Sequence, residues 1–121
     1  MALQKTETLT NGTSGDYWKV GMVNITKVDG QYSARVDVHL WTDETTRNAE
    51  GAQPLTQKNI NTIDFQSIKL SDLTVDPDAT IWEVLQNSVY NYIQKQIPIE
   101  EAKTETEQDK NILFFKGATN V

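Results

Sequence analysis

Tyr17-Trp-Lys-Val-Gly-Met-Val-Asn-Ile-Thr-Lys-Val-Asp-Gly-Gln-Tyr-Ser-Ala-Arg-Val-Asp-Val-His-Leu-Trp41 decides the fold of this chain, because it reads as two alternating strands meeting at Asp29-Gly30. A two-residue hairpin turn of type I′ needs positive φ at both central positions, and Asp-Gly tolerates it. The turn sets Val28 opposite Gln31, and antiparallel pairing then puts each opposed pair on one face of the sheet. One face carries Val23 opposite Val36, Ile25 opposite Ala34 and Gly21 opposite Val38, with Leu40 beyond, and is the expected core face. The other pairs Thr26 with Ser33, Asn24 with Arg35, Met22 with Asp37, Val20 with His39 and Trp18 with Trp41. A bulge in the first strand would exchange the two faces beyond it, since the side-chain period is two.

Around the hairpin the sequence predicts an α+β fold. Residues 1–16 are rich in Thr, Asn, Ser and Gly with only Leu3 and Leu9 to bury, so they read as an extended arm outside a single domain at 17–121. Such an arm either frays or is accepted by a partner chain as an added strand. Thr42 to Lys58 has no sustained periodicity and contains Gly51 and Pro54; connections of that length are often binding loops, and a short helical turn fits Asp43 to Ala49. Ile60 to Leu70 reads as a third strand whose apolar parity changes near Gln66. A helix over 80–97 is announced by Thr80 and Glu83 at capping-box spacing and ends at Pro98. Its stripe is Ile81, Val84, Leu85, Ser88, Val89, Tyr92, Ile93 and Ile97. Glu100 to Lys110 is an acidic linker, and Ile112-Leu113-Phe114-Phe115 is of strand length, so a last strand is expected at 111–116. The sum is an antiparallel sheet of three to four strands backed by one helix.

Composition removes several classes of function. At 121 residues the chain fits one domain with one core. A net charge of −6 with cations scattered singly is the opposite of the basic stripe that neutralises phosphates, so no nucleic-acid partner is expected. There is no cysteine, which excludes thiolate metal sites and cysteine nucleophiles. No apolar run approaches the length of a membrane span, and Met1-Ala-Leu-Gln-Lys-Thr-Glu-Thr lacks a signal-peptide core. The expected location is therefore the cytoplasm or a particle assembled there.

No catalytic constellation emerges. The single histidine, His39, shares a face with Asp37, but no G-x-S-x-G presents a nucleophile beside it. One histidine without cysteine makes zinc a poor fit, and the acids at Asp76 and Asp78 serve a helix start better than a calcium loop. There is no G-x-G-x-x-G and no P-loop. Carboxylates are plentiful, yet a hydrolase needs one of them desolvated beside apolar walls, and these lie in polar contexts. No catalytic, cofactor-binding or metal residue is assigned. What remains is surface: Trp18, Val20, Met22, His39 and Trp41 gather at the open end of the hairpin, with Trp82 and Tyr90 at the edge of the helix stripe. Either another segment, such as Ile112 to Phe115 or the Leu55 loop, covers that end, or it meets a partner or another copy.

Met1-Ala-Leu-Gln-Lys-Thr6, Tyr17-Trp18-Lys19-Val20, Arg47-Asn-Ala-Glu-Gly51-Ala-Gln-Pro54-Leu55 and Gly117-Ala-Thr-Asn-Val121 together resemble the small proteins of unassigned role encoded among the late, tail-region genes of tailed bacteriophages and prophages. The resemblance covers about a third of the chain and assigns no functional residues. It implies a structural or assembly protein of the tail, baseplate or fibre-attachment region, found in the virion or in the host cytoplasm during assembly. Its partners would be other virion proteins or copies of itself. The alternative is a phage-encoded binding module that captures a ligand or inhibits a host protein through the same aromatic patch.

Overall fold

Asp29 (φ 52°) and Gly30 (φ 78°) both adopt the left-handed conformation that a type I′ turn requires. They do so in a computed structural model that describes residues 2–64, 69, 71, 73 and 76–121. The turn joins β2 (Ser14–Val28) to β3 (Gln31–Trp41), the centre of a five-stranded antiparallel sheet. The other strands are β1 (Leu3–Thr8), β4 (Thr56–Asp64) and β5 (Thr119–Asn120), in the order β4-β3-β2-β1-β5. Helices α1 (Glu44–Asn48), α2 (Ile81–Glu101) and α3 (Lys110–Phe114) complete an α+β fold.

From Val28↔Gln31 to Met22↔Asp37 the register is the one the turn dictates, and it then shifts to Val20↔Val38, Lys19↔His39, Trp18↔Leu40 and Tyr17↔Trp41. Gly21 is the extra residue. A Cβ there would run into the imidazole of His39, which lies across the bulge, so only glycine fits beneath that ring. The pairs expected as Trp18–Trp41, Val20–His39 and Gly21–Val38 are therefore corrected. The insertion turns Trp18 and Val20 onto the core face beside Val38 and Leu40.

Within the expected arm, Leu3–Thr8 form β1 and a turn at 9–13 leads into β2, so the segment pairs within its own chain. β1 occupies the edge of β2 opposite β3, through Leu3↔Trp18 and Gln4↔Tyr17 and, past a register shift, Glu7↔Gly15 and Thr8↔Ser14. Leu3 is thereby fully buried, and β5 adds outside it through Leu3↔Asn120 and Gln4↔Thr119. The amide and carbonyl of Ala2 bond those of Val121 and tie the two ends together.

The strand expected at 111–116 is instead the helix α3. Four apolar residues suit either state, and the decision falls to Asp109, whose carboxylate accepts from the amides of Asn111 and Ile112 as an N-cap. Ile112 and Phe115, one helical turn apart, are both buried. The third strand begins at Thr56, earlier than expected; of the expected 60–70, residues 65–68 and 70, with the parity change near Gln66, lie outside the described residues.

α2 starts where expected, on a complete capping box between Thr80 and Glu83, but runs past Pro98 to Glu101. A proline near a helix end forfeits one backbone bond. Here the last turn is held from outside, because the buried Glu100 carboxylate accepts from Gln96, Lys103 and the amide of Asp109. The core joins Leu3, Trp18, Val20, Ala34, Val36, Val38, Leu40, Ile60 and Ile63 of the sheet to Val89, Tyr90, Ile93, Ile112 and Phe115. Each such large aliphatic side chain contributes roughly 1.5 to 3 kcal/mol before ordering entropy is subtracted.

Candidate interaction face

The structure splits the residues expected at an interaction surface into two groups. Trp18 and Val20 are 0% and 1% exposed, and Tyr90 is 1% exposed, so these three belong to the core. The indole N–H of Trp18 donates to the Lys5 carbonyl at 2.9 Å, and its ring meets Phe114 and Phe115 edge-on, each at 5.3 Å. Lys58 closes this end, with Nζ 4.3 Å from the Phe114 centroid and 3.4 Å from Glu7 Oε1. The segment Ile112 to Phe115 thus covers the hairpin's open end, as a helix. Tyr90 does more than fill space, since its hydroxyl accepts from the Val20 amide at 2.9 Å just beyond the point where β1 stops. Burial raises the phenol pKa well above its ordinary value of 10.0, and the Val20 bond offsets only part of that.

Met22, His39 and Trp41 form the second group and lie together on the sheet face turned away from Val36, Val38 and Leu40. The pairings set out the rest of this face in rows. Gln4, Tyr17 and Trp41 make one, Lys19, His39 and Gln57 the next, then Met22, Asp37 and Asn59, and finally Asn24 beside Arg35. Met22 is exposed and His39 and Trp41 are half-buried. Trp82 stands apart on the solvent side of α2, next to the exposed Ile81.

Charge on this face is sparse and partly desolvated. Asp37 is 6% exposed, and its Oδ1 is buried without a hydrogen-bond donor; Arg35 Nε stands 3.8 Å from that oxygen. α1 lies at the end of β3. Burial raises the Tyr17 phenol, assisted by Glu44, and burial lowers the Lys19 ammonium. α1 itself is held by Asp43, whose carboxylate accepts from the Thr46 amide at 2.7 Å and is kept below its ordinary pKa by that bond.

Comparison with known protein families, characterised proteins and solved structures finds no match to this chain. The reading of the face rests on its own chemistry. Asp37 and His39 share it two residues apart, and no Ser, Thr or Tyr hydroxyl is hydrogen-bonded to that imidazole among the described residues. A cleft of about 430 Å³ borders the face at Asn59 and runs between Asn61, Glu100, Lys103 and Asp109, and there Glu100 has both oxygens engaged. Among the described residues no cluster of three His, Asp or Glu side chains could hold a metal ion, and no helix is long and apolar enough to cross a membrane. Sequence reasoning placed Asp37 on this face with Met22 and His39 and missed Tyr17, Lys19, Gln57 and Asn59. The signal that could have found Tyr17 and Lys19 is Gly21, a glycine inside a strand, which often marks a bulge.

Proposed function

We propose that this chain is a non-enzymatic structural or assembly protein of a tailed-phage particle, of the tail, baseplate or fibre-attachment region, and that it holds a neighbouring virion protein against the open face of its sheet. The observation that carries the reading is the composition of that face. Tyr17, Met22 and Trp41 are of the aromatic and thioether types enriched at protein contact surfaces, and with His39 they surround an Asp37 that is nearly buried. The resemblance to tail-region proteins supports the setting. Mass spectrometry of particles purified from the phage or prophage that encodes the chain tests it. The chain should be present at fixed stoichiometry, and Trp41→Ala with His39→Ala should fold and fail to incorporate. Absence from particles overturns the proposal.

A second reading, a module that captures a ligand, is favoured by Asp37 Oδ1 alone, since an acceptor buried without a donor is where a ligand N–H or O–H would bond. It requires tryptophan fluorescence that responds to glycans or host fractions in the wild type and not in Trp41→Phe.

A further inference from the structure

The sheet protects its edges unequally. β5 is only two residues long, and its Asn120 is bonded by Gln94 at 2.7 Å. On β4, the side chain of Asn111 donates to the Asn59 carbonyl at 2.7 Å. On β2, where β1 ends opposite Trp18, Tyr90 and Gln86 take over and bond the amide and the carbonyl of Val20 at 2.9 and 3.4 Å. Past Val20 this protection stops among the described residues. Val28↔Gln31 closes the turn as a narrow pair, so Met22, Asn24, Thr26 and Val28 bond across to β3. The N–H and C=O groups of Val23, Ile25 and Lys27 point the other way, where neither β1 nor another described backbone group reaches them.

The side chains do not blunt this edge either. Met22 to Val28 contains no proline and no glycine, and its one charge, Lys27, lies over the Tyr32 ring at 5.6 Å. Ile25, in the middle, is 50% exposed. An edge with a single charge and no proline or glycine is what exposed sheets ordinarily avoid, because it templates another strand.

We propose that this edge is the homotypic interface of the protein, pairing antiparallel with the same edge of a second copy about a two-fold axis at Ile25. In that register Ile25 faces its symmetry mate, Val23 faces Lys27, Asn24 faces Thr26 and Met22 faces Val28, so every outward backbone group of Val23, Ile25 and Lys27 gains a partner. The edge is self-complementary, as an isologous contact must be. It also avoids the charge that would oppose association, since Tyr17 to Val28 carries no acid although the chain has net charge −6. An acidic foreign strand would find only Lys27 to pair with. The interface is the backbone edge of β2, which borders the open sheet face at Met22 and Asn24, and it does not rest on the function proposed above.

Light scattering on a sizing column across a concentration series, with native mass spectrometry, tests it. The wild type is expected to be dimeric at the upper concentrations. Ile25→Lys puts two like charges at the axis, and Ile25→Pro removes an N–H that no described backbone group accepts, so both should stay folded by circular dichroism and dimerise at least about tenfold more weakly. Trp41→Ala should dimerise like the wild type, which separates this interface from the open face. A wild type that stays monomeric at every concentration overturns the inference, as does an undiminished dimer in folded Ile25→Lys; that variant decides the matter if the proline variant does not fold.

Discussion

Tyr90→Phe removes one oxygen atom and leaves the ring where it is, which makes it the sharpest test of how α2 is attached to the sheet. The hydroxyl accepts the Val20 amide at 2.9 Å in a site where Tyr90 and Val20 are each 1% exposed. Without it the amide stays buried with no acceptor, and no cavity of consequence opens. Leaving a buried donor unsatisfied costs about 1 to 3 kcal/mol. For a domain of this size that is a fall in Tm of about 4 to 12 °C. Urea and thermal unfolding measure the loss, and amide exchange localises it: the Val20 N–H should exchange faster while Val36 and Val38 keep their protection. The same oxygen also sets an alkaline limb. Burial raises the phenol pKa in the native state, so the unfolded chain releases this proton first, near the ordinary value of 10.0. Stability contributed by the neutral phenol is thus fully present below that pH and is lost as pH rises through it toward the folded pKa. Tyr90→Phe should be less stable at neutral pH and should lose less above pH 10. A variant as stable as the wild type at neutral pH, with an unchanged alkaline limb, would refute the claim that this bond closes the β2 edge.

Glu100→Gln tests the knot at the end of α2. Burial pushes the Glu100 carboxyl up, but bonds from Lys103, the Asp109 amide and Gln96 outweigh it and hold it below its ordinary value of 4.5. The contribution is therefore present above that pH and lost as pH falls through the folded pKa; the variant should unfold about 1 to 3 kcal/mol more easily at neutral pH and show a flatter acid limb in pH-dependent unfolding. The two strand glycines should differ in kind. At Gly15 a Cβ would sit 2.5 Å from the Trp41 carbonyl oxygen, which the sheet fixes, whereas at Gly21 the atoms nearest to it would be those of the His39 ring. Gly15→Ala should cost more than Gly21→Ala in urea unfolding, and His39→Ala should rescue Gly21→Ala alone. Trp18→Ala, at the centre of the aromatic cluster, should cost about 3 to 5 kcal/mol by the same measurement.

Local chemistry was legible wherever a single residue type decides the conformation. Asp29-Gly30 admits positive φ and so fixes the turn, and Thr80 with Glu83 fixes the start of α2. What depends on competition between distant groups was not. Ile112 to Phe115 is apolar enough for strand or helix, and Asp109, three residues before Ile112, reads as part of an acidic linker although it is the cap. Pro98 reads as a stop because its lost bond is local, while the carboxylate that compensates, Glu100, depends on Lys103 and Asp109 folding back. The buried side of α2 was read from its aliphatic residues. Gln86 and Tyr90 were drawn inward instead, because they answer polar groups that β1 leaves bare at Val20.

The candidate surface follows from one inserted residue. Without a bulge, Trp18, Val20, Met22, His39 and Trp41 would share a face, and the hairpin would end in a greasy patch that demands cover. Gly21 divides that set: Trp18 and Val20 rotate under α3 and α2, while Met22, His39 and Trp41 stay outside with Tyr17 and Asp37. The division also explains why the interior closes so well at that end, since a single face now receives both the β2 aromatic and its partners Phe114 and Phe115. The price is a second face with fewer rings and more polar atoms than the unbulged hairpin would show. Such a surface does not compel association by apolar area alone, so any partner it holds must be recognised through the Asp37 carboxylate and the His39 and Trp41 rings.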